Sequence, residues 1–567
     1  MDVQFIGPLG KVTGSCTWMR DIEKGWSFLI DCGMQQGENS AEDWNSGAAW
    51  PFDPREIQFV ALTHAHIDHS GLIPELYRQG FKGQVYCTTP TRKLSQVLLA
   101  DAARLPGTPY QEADIMNIDW KDDRIKSQGG YTPVATDLFL RFFRSGHIVG
   151  ASSISVVWGA PGTEQKSIVF SGDVGPGAED HETLPFLRFP LHPKPGNFAV
   201  VESTYGNVVR PDCDADPKHR RAHLTDLIDR TIQANGTLAI AAFSVGRTQD
   251  ILFDLHHIVA TDPEKYHSVQ FLLDSPMACK INAITLEALT ESTTSATTKK
   301  VRPAWLGKQL FRELGLHRHD KQGMKDARAI CRMTLNFKDT VEDCKIQTGN
   351  SVARNWRPIF AQCADRSTHL KGQIQGPRVI VFSSGTCDGG PATQWLPHLL
   401  QSDRNIIALS GFAPPNSIGG QLLALKEVPV DQRQLHMSSI LWKTPDGAAT
   451  HGIDICDIEA HVTAIHGYSA HADQKDLVNW VFEDHLGHTK QAMGQTVFLN
   501  HGTTRAASAL QDALKNRAQE WQLQVDVVTP PSGQGWINLD SHRSVDMTSK
   551  LQYAAPNPVQ ACRANAA

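Results

Sequence analysis

Four side chains able to bind a metal fall within six residues of this chain: His64, His66, Asp68 and His69, in Thr63-His-Ala-His-Ile-Asp-His-Ser-Gly71. Imidazole and carboxylate together suit zinc or a similar divalent ion. A lone histidine is usually an ordinary surface or core residue. Four such groups in one short turn reverse those odds and indicate a metal site. Further along stand His147, between small residues in Ser145-Gly-His-Ile-Val-Gly150, and Asp173, behind Gly172. Each would pass for a turn residue by itself, and gains weight only from the first cluster. Glu202, His471 in Ser469-Ala-His-Ala-Asp473, and His501 in Asn500-His-Gly502 complete the set that could do chemistry.

The elements that must position these residues are legible as pattern. Phe59 to Leu62 is an apolar run that predicts a buried strand, and Leu72 to Tyr77 begins a helical pattern, so the cluster sits in a strand-to-helix turn. Ser27 to Gly33 predicts a strand ending in a tight turn; Val85–Cys87, Ser167–Phe170, Phe198–Glu202 and Thr496–Asn500 predict further strands, three of which deliver Asp173, Glu202 and His501. The texture changes near residue 206. Helices over Arg221–Gln233 and Gln249–Val259 then alternate with strands over Thr237–Phe243, Val269–Leu273, Arg378–Phe382 and Asn405–Leu409, the signature of a parallel, doubly wound α/β domain. Ser292 to Lys300 reads as a polar loop, and the stretch from there to about Gly376 as an insertion. The basic runs Lys218–Arg221 and His317–His319 read as solvated charged faces, with phosphate contact as the less favoured reading.

The 567 residues exceed what one core organises, so two or more domains are expected. With 41% hydrophobic and 20% charged residues the composition is that of an ordinary globular protein. No apolar run reaches the roughly 18 residues that span a bilayer, and the first residues lack the pattern of a secretion signal. Eleven cysteines without a Cys-x-x-Cys pair argue against a disulfide framework or a Cys-ligated zinc finger, and fit a reducing, cytoplasmic setting. A net charge of −6 does not announce a nucleic-acid binder, but two divalent cations would make one groove locally positive.

His64-Ala-His-Ile-Asp-His69 resembles the HxHxDH motif of the metallo-β-lactamase fold. Glu202-Ser-Thr-Tyr-Gly206, Ser469-Ala-His471 and Leu499-Asn-His501 resemble motifs A, B and C of the β-CASP nucleases. Phe243-Ser-Val-Gly-Arg-Thr-Gln249, Leu273-Asp-Ser-Pro-Met-Ala278 and Ser383-Ser-Gly-Thr-Cys-Asp-Gly-Gly390 are similar to that family's inserted domain, so the resemblance runs from about Phe5 to beyond His501. It implies an α/β architecture in which a metallo-β-lactamase αββα sandwich, residues 1–205 and 466–545, is interrupted by a doubly wound β-CASP domain, 206–465. The active site would lie in the cleft between them, and a disordered tail would cover 546–567. It also implies two Zn2+, with Mn2+ as the alternative ion: His64, His66 and His147 would hold one, Asp68, His69 and His501 the other, with Asp173 shared.

In this reading a water between the ions attacks an RNA phosphodiester. Asp68 would also orient it, His471 would protonate the leaving oxygen, and Glu202 would keep that imidazole charged. Within the family His at the position of His501 marks the RNA nucleases and Val the DNA-repair branch. Single-stranded RNA is therefore the expected partner, with no membrane and with a homodimer allowed. Ser244, Gly246, Arg247, Ser384 and Gly385, at strand ends before helices, would take phosphates. The form of Ser383–Gly390 is closer to the cleavage-and-polyadenylation-factor-like branch than to RNase J, which favours endonuclease action with 5′-3′ exonuclease activity as a second mode. Gly411-Phe-Ala-Pro-Pro-Asn-Ser417 departs from the family's Gly-Tyr-Gln-x-x-Gly-Thr, Thr386 replaces a frequent Met, and the interval from His471 to His501 is long. The alternatives are a catalytically silent RNA-processing scaffold and a hydrolase of a small ester, thioester or lactam. The inserted domain weighs against the hydrolase, and the complete residue set against the scaffold.

Overall fold

The computed structural model describes every residue except 8–9, 37–40, 123–129, 163, 178–181, 295–300, 338–345, 371–375, 434, 436–437, 444–449, 483–490, 531–534, 542–552 and 555–567. The chain forms two compact units. One contains Met1–Pro176, Pro190–Val209 and His471–Ala567; the other contains Gly177–Phe189 and Arg210–Ala470.

The first unit is built on two sheets. In the eight-stranded sheet, Asp2–Phe5, Thr17–Asp21 and Trp26–Ile30 pair antiparallel, and Phe59–Ala61, Gln84–Tyr86 and Trp120–Lys121 continue in parallel. The seven-stranded sheet runs antiparallel from Thr132–Ala135 through Leu138–Arg144 and Ser152–Trp158 to Lys166–Phe170, then parallel through Phe198–Glu202 and Thr496–Asn500 to Asp526–Val528. Side chains alternate across a strand, so each sheet offers two apolar faces. Phe28, Phe59 and Met19 meet Phe142, Ile154, Phe170 and Phe498 in a core between the sheets. Leu72, Leu76 and Leu99 cover the outer face of the first sheet, and Leu477, Trp480, Leu510 and Leu514 that of the second. The result is the αββα sandwich. Glu202 pairs with Asn500, so two strands about 300 residues apart in sequence lie side by side.

The second unit carries a six-stranded, wholly parallel sheet. Its order is Phe360–Gln362, Gln270–Asp274, Arg378–Phe382, Thr237–Ala241, Ile406–Leu409, His461–Ala464. The core beside Ala392–Leu399 and Ile418–Ala424 fills one face, while Pro217–Ala234, Arg247–Thr261, Pro276–Thr290 and Lys321–Leu335 pack together as a separate helical layer. This is the doubly wound domain.

Several expectations are revised. Residues 301–376, expected to include an insertion, are built into the second unit. Lys321–Leu335 buries Ala327, Ile330, Cys331 and Met333, and Phe360–Gln362 supplies the edge strand. Ser292–Thr294 pairs with Val301–Pro303, while 295–300 of the expected polar loop lie outside the described residues. Gly177–Phe189 goes with the second unit instead of the first. Gly307 donates to Phe186 O at 3.1 Å, Gln309 N donates to Glu182 at 3.0 Å, and Arg188 donates to Pro303 O at 2.9 Å. Of Lys218–Arg221 the first two residues are exposed, as expected of a solvated face, but Arg220 is buried and Arg221 pairs with Asp254 and Glu313 at 3.1 and 2.7 Å. Of the expected disordered tail only Tyr553–Ala554 is described, as an edge strand; the rest lies outside the described residues. Among the described residues no helix is long and apolar enough to cross a membrane.

Candidate active site

The turn after Phe59–Ala61 begins with His64 and continues through the short helix Ile67–Ser70, so helix starts inside the motif. It is tied to the loop after Trp26–Ile30. Cys32 N donates to His69 O at 2.8 Å, Met34 N to Ile67 O at 2.9 Å and Ser15 N to Asp68 O at 2.7 Å. Gly33 is required there, since a Cβ would stand 1.7 Å from Asp68 O, a backbone atom that cannot yield. His147 sits between two glycines of positive φ, Gly146 and Gly150, and the Gly150 carbonyl accepts from the Thr88 and Thr91 hydroxyls at 2.7 and 2.9 Å. Asp173 follows Lys166–Phe170 through Gly172, and His501, itself at φ 51°, follows Thr496–Asn500. The ligand candidates thus project from strand ends or, for Asp68 and His69, from the short helix that follows one, and backbone hydrogen bonds tie that helix to the loop after Trp26–Ile30.

All nine of the expected catalytic and metal-binding residues belong to the first unit, and they come together. One potential ligand atom from each of His64, His66, His147 and Asp173 lies within 4.8 Å of the others, and Asp68, His69 and His501 form a second such group. His66 Nδ1 lies 3.1 Å from both His64 Nε2 and His147 Nε2. Asp173 Oδ2 faces His64 and His147 at 3.4 and 3.5 Å, while Oδ1 faces His69 and His501 at 3.2 and 3.4 Å. His501 Nε2 is 3.6 Å from Asp68 Oδ2. Ligands about 2.0–2.1 Å from a tetrahedral ion stand roughly 3.3 Å apart, which is the spacing observed. Asp173 Oδ1 is buried and accepts no hydrogen bond. A buried carboxylate oxygen in that position calls for a cation. The donor set therefore fits divalent metal.

Electrostatics agree. Burial, and then the neighbouring His69, pull the His64 imidazole down to about 3. Burial likewise pulls His66 down to about 4. His147 is driven well below its ordinary value by burial and by His471. Asp68 and Asp173 are buried, which opposes ionisation, yet the imidazoles of His69 and His501 hold both carboxyls below the usual range. His69 is the exception. Burial opposes its protonation, but Asp173 and Asp31 outweigh it and lift the imidazole well above its ordinary value.

Asp31 is the residue that motif reading did not single out. Its Oδ2 accepts from His69 Nδ1 at 2.8 Å and from the Thr63 hydroxyl at 2.8 Å, and its Oδ1 accepts from Thr63 N at 2.7 Å. That fixes the His69 tautomer with Nε2 turned to Asp173, the usual outer partner of a metal-binding imidazole. The available signal was an Asp closing the strand over Ser27–Gly33; in the structure it adopts φ 58°.

Glu202 and His471 form the third group with Asp173. Glu202 accepts from His471 Nδ1 at 3.3 Å and from Val174 N at 2.6 Å, and its own N donates to the Ser171 hydroxyl at 2.9 Å. His471 Nε2 points towards Asp173, 3.9 Å away. Burial opposes a charge on this imidazole, but Glu202 and then Asp173 prevail and raise it above its ordinary value.

The expected phosphate-binding residues lie in the second unit, where the structure brings their two loops together. Gly385 packs so closely on Phe243 that a Cβ would meet the ring at 2.7 Å. The amides of Arg247 and Thr248 donate to Val245 O and Phe243 O at 2.9 and 3.3 Å, so they are committed within the turn. The Ser384 hydroxyl lies 3.5 Å from that of Thr386. Gly246, at φ 75°, caps the helix Arg247–Thr261.

Three family profiles match in order along the chain. They are the Metallo-beta-lactamase superfamily over residues 9–215, the Beta-Casp domain over 248–422 and the Zn-dependent metallo-hydrolase RNA specificity domain over 456–530. The chain is 27% identical over 529 residues to Ribonuclease TTHA0252 of Thermus thermophilus, a match covering 92% of this chain and 98% of that one. It is 25% identical over 492 residues to the Transcription termination factor FttA of Methanocaldococcus jannaschii, and 24% identical over 485 residues to that of Methanococcus maripaludis. Each of these two matches covers 84% of this chain and 64% of the archaeal protein.

Proposed function

The chain belongs to the β-CASP family of the metallo-β-lactamase superfamily, and on that premise we propose that it is a metal-dependent ribonuclease. It hydrolyses phosphodiester bonds of single-stranded RNA, cutting internally, with 5′-3′ exonuclease activity as a second mode. The observation that carries this is the placement of His471 beside the metal cluster, with Nδ1 held by Glu202 and Nε2 facing the shared carboxylate Asp173. A hydrolase needs such a donor for its leaving oxygen.

His64, His66 and His147 would hold one divalent ion, zinc in the first instance and manganese as the alternative; Asp68, His69 and His501 would hold the second, and Asp173 would serve both. When bound, such a pair activates water and neutralises charge growing on the phosphoryl oxygens. Asp68 turns its carboxylate into the same space and orients the attacking water. His471, whose protonated form Glu202 favours, donates its Nε2 proton to the departing ribose oxygen and takes one back from solvent. Asp31 and Thr63 hold His69 in the tautomer that leaves Nε2 free for an ion. Among the described residues no cysteine forms a disulfide, which favours a reducing, cytoplasmic setting.

The test uses unstructured RNA labelled at the 5′ or the 3′ end, with added zinc or manganese and with chelator. Internal fragments from both labels, abolished by chelator, are expected; mononucleotides from the 5′ label alone would make the exonuclease mode dominant. Intact RNA under every metal condition would overturn the reading in favour of a silent scaffold. His471→Ala should lose turnover while retaining its metal content.

A further inference from the structure

The central strands of the second unit's sheet share a property that the catalytic reading leaves unused. From Thr237–Ala241 the chain leaves through Arg247–Thr261 towards Gln270–Asp274. From the adjacent Arg378–Phe382 it leaves through Ala392–Leu399 the other way, towards Ile406–Leu409. Adjacent strands whose connections depart in opposite directions mark the usual ligand position in open α/β sheets, at the carboxyl ends of the strands. Three loops meet there: 242–246, 383–391 and 410–417.

Two large apolar side chains stand out at those loops. Phe412 is 65% exposed and Phe243 40% exposed. Single exposed apolar residues are common and mean little; two phenylalanines on neighbouring strand ends, with an arginine between their loops, are a different matter. Arg247 Cζ lies 5.0 Å from the Phe243 ring centroid, and its Nη1 lies so close to Gly411 that a Cβ there would be 1.7 Å away. Arg247 Nε donates to Tyr468 O at 3.2 Å, which anchors the guanidinium.

The loops themselves are fastened. Ser410 donates through N and Oγ to Ala241 O at 3.2 and 2.8 Å. Gly419 N donates to Thr386 O at 2.7 Å, Ile418 N to Asp388 Oδ1 at 2.8 Å, and Thr248 Oγ1 to Phe243 O at 2.7 Å. Pro414 and Pro415 stiffen the segment beyond Phe412. Neither aromatic is held out by a slack loop, so a flat ligand meets them already ordered.

We propose that Phe412 and Phe243, with the Arg247 guanidinium between the loops that carry them, form a base-stacking platform for single-stranded RNA at the carboxyl edge of this sheet. The inference rests on the ribonuclease reading for its choice of ligand. A flat aromatic face accepts any nucleobase, and a neighbouring guanidinium adds attraction for the base and for the phosphate beside it. The platform therefore grips unpaired bases with little regard for their identity, whereas bases stacked in a duplex are denied to it.

The test is fluorescence anisotropy of the full chain with a labelled, unstructured oligoribonucleotide in chelator, which stops cleavage. Phe412→Ala should weaken binding by about 5- to 150-fold, the range of one lost base stack, with a smaller loss for Phe243→Ala. Phe412→Trp should restore it. An abasic strand of equal length should bind Phe412→Ala and the wild type alike. Because Phe412 is largely exposed, its truncation should leave the melting curve in place, which separates lost stacking from lost fold. Equal affinity of wild type and Phe412→Ala for the ribo-oligomer, or an equal loss on the abasic strand, would overturn the platform. So would a shift in sedimentation of Phe412→Ala without a change in RNA affinity, since the aromatics would then join copies of this chain. The outcomes are separable from the ribonuclease test: RNA bound but never cut with metal sinks the enzyme reading alone, and RNA cut with unaltered Phe412→Ala binding sinks the platform alone.

Discussion

Each unit buries a knot of charged and polar groups, and the two knots are balanced in opposite ways. In the second unit Asp254 is fully enclosed. It accepts from Arg220 Nε at 2.6 Å, from Arg221 at 3.1 Å and from the Tyr468 hydroxyl at 2.7 Å. Arg221 also meets Glu313 at 2.7 Å, and Arg220 lies 4.9 Å from the Tyr468 ring centroid. This knot carries its own cations. In the His/Asp knot of the first unit only His69, and His471 beside it, are pushed towards the charged form. Burial holds His64, His66 and His147 in the neutral form while Asp68 and Asp173 stay ionised. A buried charge must be paired or must bind metal. The second knot takes the first option and the first knot the second, so one is structural and the other chemical.

That contrast can be broken at its strongest point by Asp173→Asn, which removes the carboxylate that faces His64 and His147 through one oxygen and His69 and His501 through the other. RNA cleavage should fall to background, and elemental analysis should show fewer ions per chain while the far-ultraviolet spectrum is kept. In the self-sufficient knot, Arg220→Met removes the closest of the three donors to the buried Asp254 and should cost about 3–5 kcal/mol of stability by urea unfolding. Replacing both, Arg220→Met with Asp254→Leu, should recover most of that loss.

Asp250, in the same knot, gives the pH dependence. Burial pushes its carboxyl up to about 8, against the pull of Arg220. Between the ordinary carboxyl value near 4 and about 8 the native state binds the extra proton, so stability falls as pH rises through that window. The slope is at most about 1.4 kcal/mol per pH unit relative to Asp250→Asn, with no difference in slope below or above the window. Parallel slopes for the two proteins between pH 5 and 7.5 would contradict this. The smallest effect is expected beside the metal cluster: Asp31→Asn should lower metal affinity about 10- to 100-fold, measured by chelator competition.

How far such knots show in sequence differs for physical reasons. The HxHxDH turn is legible because its ligands are local, bunched where strand passes into helix. Glu202, His471 and His501 are far apart along the chain but close their strands or turns in recognisable company, and they entered through resemblance as much as pattern. Asp31 was invisible as a functional group, since a carboxylate that braces another residue's imidazole has no spacing of its own. Arg220 and Arg221 were misread because a run of like charges reveals sign and not burial; the partners that enclose them, Asp254 and Glu313, lie on other helices. The region 301–376 was obscure because its strand, Phe360–Gln362, has three residues and lies at a sheet edge. So short a strand shows little alternation.

The parallel pairing of Phe198–Glu202 with Thr496–Asn500 has a consequence in time. A ribosome adding roughly 5–20 residues each second needs about 15–60 s to travel from one strand to the other. Throughout that interval Phe198–Glu202 can pair with Lys166–Phe170 on one side, while its other side stays an open edge able to recruit a neighbouring chain. The inserted unit is synthesised in the same interval and has its own sheet to close. Only when Thr496–Asn500 emerges is that edge covered, with Asp526–Val528 then pairing on its far side, and only then does His501 arrive beside His69. The His/Asp cluster is thus completed by one of the last strands to be made, and the edge of Phe198–Glu202 is covered by that same strand.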